Sequence, residues 1–268
     1  MMQLGVVDFL AFSGVCKLWR TFALRNRKMF MASKHPMSIS ISLDANKKDY
    51  YCYLKDLNGR KFKTVLPSFG GRTFVGSTCG YLILYGWETR DFCLINPIKR
   101  HELNFPGFHS YINPCTNIKG ILVFSPSIFG WVFVVTDGST NIWVSKADQG
   151  VWNHVISRFV VRDFHAFKGK IYAITGCHLC EIRLNPEPNL ISLRTKNFPT
   201  FSNQKVISSG EDLYMMDYSK PYKVHKLNFQ QLNWVLCEEG AIERFFDDIK
   251  GRLWYFPHEC VNVNILDE

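Results

Sequence analysis

No apolar run in the 268-residue sequence approaches the ~18 residues of a membrane-spanning helix, although 47% of the chain is hydrophobic. No membrane partner is therefore expected. Asn-x-Ser/Thr acceptor sites are absent, and the first residues lack the basic-then-apolar layout of a secretion signal. The nine cysteines are an odd number spread along the chain. Both points suit a reducing compartment, cytoplasm or nucleus, where thiols stay unpaired and act as small hydrophobes. A P-loop and a dinucleotide fingerprint are also missing, so nothing points to nucleotide chemistry.

Acidic residues are missing locally. From Phe9 to Leu43 there is no Asp or Glu, while Lys17, Arg20, Arg25, Arg27, Lys28 and Lys34 are basic, within a chain of net charge +9. Such a run can mark a nucleic-acid surface. No base-stacking aromatics are interleaved with it, so a solvated basic linker over residues 25–36 is the preferred reading and a nucleic-acid partner is disfavoured.

What the chain has in quantity is aromatics: 22 Phe, 11 Tyr and 7 Trp, 15% of the residues. Flat, stiff rings suit packed sheet faces. Val15, Leu18, Trp19 and Phe22 fall at i, i+3, i+4, i+7, one face of a helix, and Pro36 ends any helical continuation. Ser38-Ile39-Ser40-Ile41-Ser42-Leu43 alternates polar and apolar, as a half-buried strand does. Beyond it short apolar runs alternate with turn clusters.

The turns recur. Gly169, Gly210 and Gly251 each sit between an apolar strand and one carrying an aromatic, 41 residues apart, and Gly80 and Gly130 begin earlier copies. Trp152 and Trp234 are separated by 82 residues, twice that interval. Asn96-Pro97 and Asn185-Pro186 each follow an apolar strand, and their units close with Phe105-Pro106 and Phe198-Pro199. A repeat of about 40 residues with only β signals is the length of a four-stranded propeller blade. The expected fold is all-β, a propeller of about five four-stranded blades, with six as the alternative. The last anchor leaves room for only two strands, so the strands near 38–43 and 50–66 are expected to complete the final blade and close the ring.

Two resemblances add to this reading. Asp8-Phe9-Leu10-Ala11-Phe12 and Val15-Cys16-Lys17-Leu18-Trp19-Arg20 resemble the second half of an F-box, whose Leu-Pro-initiated first helix is not in the sequence. Tyr51-Cys52-Tyr53-Leu54 with Leu66-Pro67, Gly76-Ser77-Thr78-Cys79-Gly80-Tyr81-Leu82, and Leu94-Ile95-Asn96-Pro97 with Leu103-Asn104-Phe105-Pro106 resemble the KIB-type β-propeller of plant F-box proteins. The implied organisation is a short α-helical partial F-box (1–24), a basic linker (25–36) and the propeller (37–268). The resemblance implies a substrate-receptor subunit of a Skp-cullin-F-box type ubiquitin ligase. Phe9, Leu10, Phe12, Val15, Cys16 and Trp19 are the candidates for contacting a Skp-type adaptor or packing the helices, and the propeller binds a protein substrate. A propeller interaction module without ligase function, its F-box being incomplete, is the alternative, and a propeller hydrolase is the third reading.

No enzyme site, cofactor or metal is expected. Cys177-His178-Leu179-Cys180 lacks the second ligand pair of a structural zinc site. Gly76-Ser77-Thr78-Cys79-Gly80 lacks the central serine and strand-to-helix setting of a nucleophile elbow. Asp163, Asp212, Asp247 and Asp248 read as surface turn formers, and His154, His165, His178, His225 and His258 as single, unlinked histidines. For substrate binding, the aromatic and basic tip Tyr218, Lys220, Tyr222 and Lys223 is the candidate.

Overall fold

The computed structural model describes residues 6–32, 37–44, 49–55, 59–78, 80–108, 118–125, 130–147, 149–200, 204–209, 212–217, 223–237 and 254–255. Helices α1 (Val6–Gly14) and α2 (Lys17–Ala32) come first. Strands β1 (Met37–Asp44), β2 (Asp49–Lys55) and β3 (Lys61–Val65) follow, then β4 (Arg72–Thr78), β5 (Tyr81–Gly86), β6 (Asp91–Asn96) and β7 (His101–Phe105). Next are β8 (Lys119–Ser125), β9 (Gly130–Thr136), β10 (Asn141–Lys146) and β11 (Trp152–Ile156), and β12 (Val161–Phe167), β13 (Lys170–Thr175), β14 (His178–Arg183) and β15 (Asn189–Leu193). The last are β16 (Gln204–Ser209), β17 (Asp212–Asp217), β18 (Lys223–Asn228), β19 (Asn233–Leu236) and β20 (Trp254–Tyr255). They form five four-stranded antiparallel sheets: A (β20-β1-β2-β3), B (β4–β7), C (β8–β11), D (β12–β15) and E (β16–β19). The chain divides into two compact units, residues 1–104 with 251–268, and residues 105–250.

In the first unit the alternation of β1 is visible as burial. Ile39 is buried and Ile41 packs on the core, while Ser40 and Ser42 are exposed. The expected sharing of a sheet between the first and last strands is present: Met37 pairs with Tyr255 and Ser38 with Trp254. The division is three N-terminal strands to one C-terminal strand among the described residues. The basic stretch expected as a linker is helical as far as Ala32. No Gly or Pro interrupts residues 17–35, and Leu, Arg, Lys, Met and Ala all favour the helix.

The second unit holds sheets C, D and E. The faces of β13 show how they pack. Ile171 and Ala173 join the cluster with Val134, Val144 and Val161, and Tyr172 and Ile174 join the one with Val206, Leu213 and Trp234. Period-2 side chains thus fill a core on each side of sheet D. Gly80 and Gly169 fall between the first and second strands of sheets B and D, and Gly130 opens the second strand of sheet C. Gly80 and Gly169 have φ of 76° and 73°, the left-handed conformation that favours glycine. Gly210 and Gly251 lie outside the described residues.

The other repeated motifs prove to be partners. The Trp152 indole Nε1 donates to the carbonyl of Pro106 at 2.9 Å, and Phe105 lies 6.3 Å from its ring. The Trp234 Nε1 donates to Thr195 Oγ1 at 3.3 Å, with Phe198 edge-on at 6.3 Å. In each case the tryptophan of a fourth strand reaches the Phe-Pro segment that leaves the preceding sheet.

Candidate functional site

The helical hairpin has two different faces. Arg20 N donates to Cys16 O at 2.9 Å, opening α2. Phe9 of α1 stacks on Phe30 near the end of α2, centroids 3.9 Å apart and rings 10° from parallel. Phe9, Ala23 and Phe30 are fully buried in one apolar cluster with Ile39, Leu54, Leu66, Leu82 and Ile95 of sheets A and B and the turn after β3. The helices therefore share the core of the first unit.

The remaining face is apolar and exposed. Val15 is 62%, Leu18 76%, Trp19 42% and Phe22 50% accessible. Phe12, packed on the core cluster, stacks on Trp19 at 4.4 Å and meets Phe22 edge-on at 6.4 Å. Of the six residues picked out by the F-box pattern, Phe9 is core, Phe12 bridges core and surface, and Val15, Cys16 and Trp19 are exposed. The side chain of Leu10 lies outside the described residues. Met29, exposed at 58%, extends the apolar surface beyond that pattern, and Leu24, at 48%, is exposed on another side of α2. A reading that ended the helix at residue 24 could not include Met29; the signal was the unbroken run of helix formers.

Of the substrate candidates, Tyr218, Lys220 and Tyr222 lie outside the described residues, and Lys223 opens β18, exposed. The second unit has a cleft of about 410 Å³ lined by Gly107, Phe108, Trp143, Gly150, Val151, Trp152 and His154. His154 stacks on Trp143 at 5.6 Å and shares a 2.8 Å hydrogen bond with Asn141 Oδ1.

Among the described residues, the polar groups weighed for catalysis are scattered. Asp163, expected on a surface turn, is buried within β12. Its Oδ1 takes Lys119 Nζ at 3.2 Å and its Oδ2 accepts Val206 N–H at 2.9 Å. Asp212 pairs with Lys226 at 2.7 Å. Asp247, Asp248 and His258 lie outside the described residues. Burial pushes the His165 imidazole down to about 4, against the pull of Asp163 and with that of Lys205; its Nε2 lies 2.8 Å from Ser208 Oγ. His178 stacks on Phe159. Cys177 is exposed, whereas Cys180 is buried 3.1 Å from Thr175 Oγ1. Gly76 sits at a register shift inside β4, a strand irregularity. Burial pushes the Cys52 and Cys93 thiols up to about 12, so these two behave as small apolar groups.

These sheets and repeated inter-sheet contacts define a chain of the β-propeller class. It belongs to the KIB1-4 beta-propeller family, whose pattern it matches over residues 51–243. Similar solved structures include AztD from Citrobacter koseri, at 14% identity and TM-score 0.43, covering 69% of this chain and 51% of that one. The dihydro-heme d1 dehydrogenase NirN is similar at 12% identity and TM-score 0.45, covering 84% and 50%. U3-55K is similar at 10% identity and TM-score 0.36, covering 76% and 82%. The chain spans about half the length of the first two. No curated protein matches it.

Proposed function

We propose that the chain is a substrate receptor of a Skp-cullin-F-box type ubiquitin ligase, acting in cytoplasm or nucleus. The helical hairpin docks the Skp-type adaptor, and the propeller holds a protein substrate and has no catalytic role. In this reading the five sheets are five blades, and the pairing of β20 with β1 is the seam of the ring. One observation carries it: a hairpin fixed in the core by Phe9, Ala23 and Phe30 leaves Val15, Leu18, Trp19 and Phe22 exposed together. An apolar patch presented by a rigid scaffold is what a partner surface requires.

The experiment is a pull-down of the chain with a Skp-type adaptor, beside a Val15→Ala/Trp19→Ala double variant. Binding that the double variant loses supports the receptor. No binding by the wild type leaves a propeller interaction module without ligase function.

A further inference from the structure

The exposed face of α2 has a defect in its apolar character. Leu18, Phe22, Arg25 and Met29 stand at i, i+4, i+7 and i+11 of a continuous α-helix, so they form one column along its surface. All four are exposed. A cation therefore sits between Phe22 and Met29 in an otherwise apolar line. Among the described residues no carboxylate pairs with it: Asp8 is the only carboxylate in the sequence of the two helices, and Lys17 and Arg20 add positive charge on α2.

A purely apolar groove laid over this column would bury a guanidinium with no partner, which is costly. A carboxylate in the groove turns the same burial into a charge-assisted, bidentate hydrogen bond. Resting on the adaptor reading, we infer that the docking partner is a protein whose apolar groove carries an Asp or Glu opposite Arg25, with Leu18, Phe22 and Met29 filling apolar pockets on either side. The pair sets the register of the helix in the groove, because sliding it by one turn would place the carboxylate against Phe22 or Met29.

The test measures the affinity of a purified Skp-type adaptor for the full chain and for Arg25→Leu, Arg25→Lys and Arg25→Glu. All three substitutions are on the helix surface and leave the core contacts of Phe9 and Phe30 in place. The expected result is a loss of about tenfold for Leu and a hundredfold for Glu, with Lys between wild type and Leu. Wild-type binding weakens as salt rises, and that dependence flattens in Arg25→Leu. Tighter binding by Arg25→Leu would mean that the facing groove is apolar throughout; it overturns the inference and leaves the adaptor reading intact. Absence of wild-type adaptor binding overturns both. So does binding to phosphatidylserine vesicles in place of the adaptor, since a basic amphipathic helix can also lie on an anionic lipid surface.

Discussion

Replacing Asp163 tests how neighbouring sheets of the second unit are tied together. Strands β8, β12 and β16 begin sheets C, D and E, and Asp163 of β12 reaches both others, through Lys119 Nζ and through the backbone N–H of Val206. Val206 is 1% accessible, so water cannot replace the lost acceptor. An orphaned buried amide costs about 1–3 kcal/mol. The partly exposed ion pair adds at most about 1 kcal/mol. Asp163→Ala should therefore destabilise the unit by about 1–4 kcal/mol, and Asp163→Asn, which keeps an acceptor for Val206, by at most about 1 kcal/mol. At roughly 2–4 °C per kcal/mol, the alanine variant should melt about 2–16 °C lower. Tryptophan fluorescence follows the transition, since Trp131, Trp143, Trp152 and Trp234 all lie in this unit. The reasoning fails if Asp163→Ala melts with the wild type. It also fails if Asn and Ala cost the same, because the hydrogen bond to Val206 could not then be the source.

Trp234 is 2% accessible and closes the cluster between sheets D and E, so Trp234→Ala should cost about 3–5 kcal/mol in urea unfolding. Trp234→Phe should lose only the Thr195 hydrogen bond and some packing, about 1–2 kcal/mol, and an equal loss in both variants would argue against the indole as the tie. His165 has its folded pKa lowered to about 4 from the usual 6.5, so the native state binds fewer protons than the unfolded one. Its contribution is fully present above pH 6.5 and is lost as pH falls from 6.5 toward 4. His165→Gln should make melting temperature less sensitive to pH in that window, and an unchanged pH profile would count against the burial of a neutral imidazole. Phe30 is fully buried against Phe9. Phe30→Ala should cost about 3–5 kcal/mol and lower the melting of the whole first unit; loss of helical signal alone, with sheets A and B unaffected, would mean that the hairpin is only loosely attached.

The sheets were legible because a four-stranded repeat leaves marks at fixed positions in the chain. A left-handed turn such as that at Gly169 favours glycine whatever surrounds it, and the alternation Ser38 to Leu43 follows from one wet and one dry face. The partnership of Trp152 with Phe105-Pro106 was half legible: both motifs were visible, but their spacing along the chain does not reveal a contact 46 residues apart. Asp163 was misplaced because Asp is ordinarily a turn former, and only the position of Val206 N–H makes it an interior acceptor. The hairpin shows the deeper limit. Val15, Leu18, Trp19 and Phe22 form the stronger periodic pattern in the sequence, although Val15 lies in the turn between α1 and α2 and only the other three are on the helix, and periodicity marks a face as apolar without saying what covers it. The face that packs inward uses Ala23 and Phe30, two residues seven apart, too sparse a pattern to stand out within a basic run. Because the core claims that weaker stripe, the stronger one stays at the surface, and the same competition between faces that hid the packing is what leaves an apolar surface on the hairpin for a partner to cover.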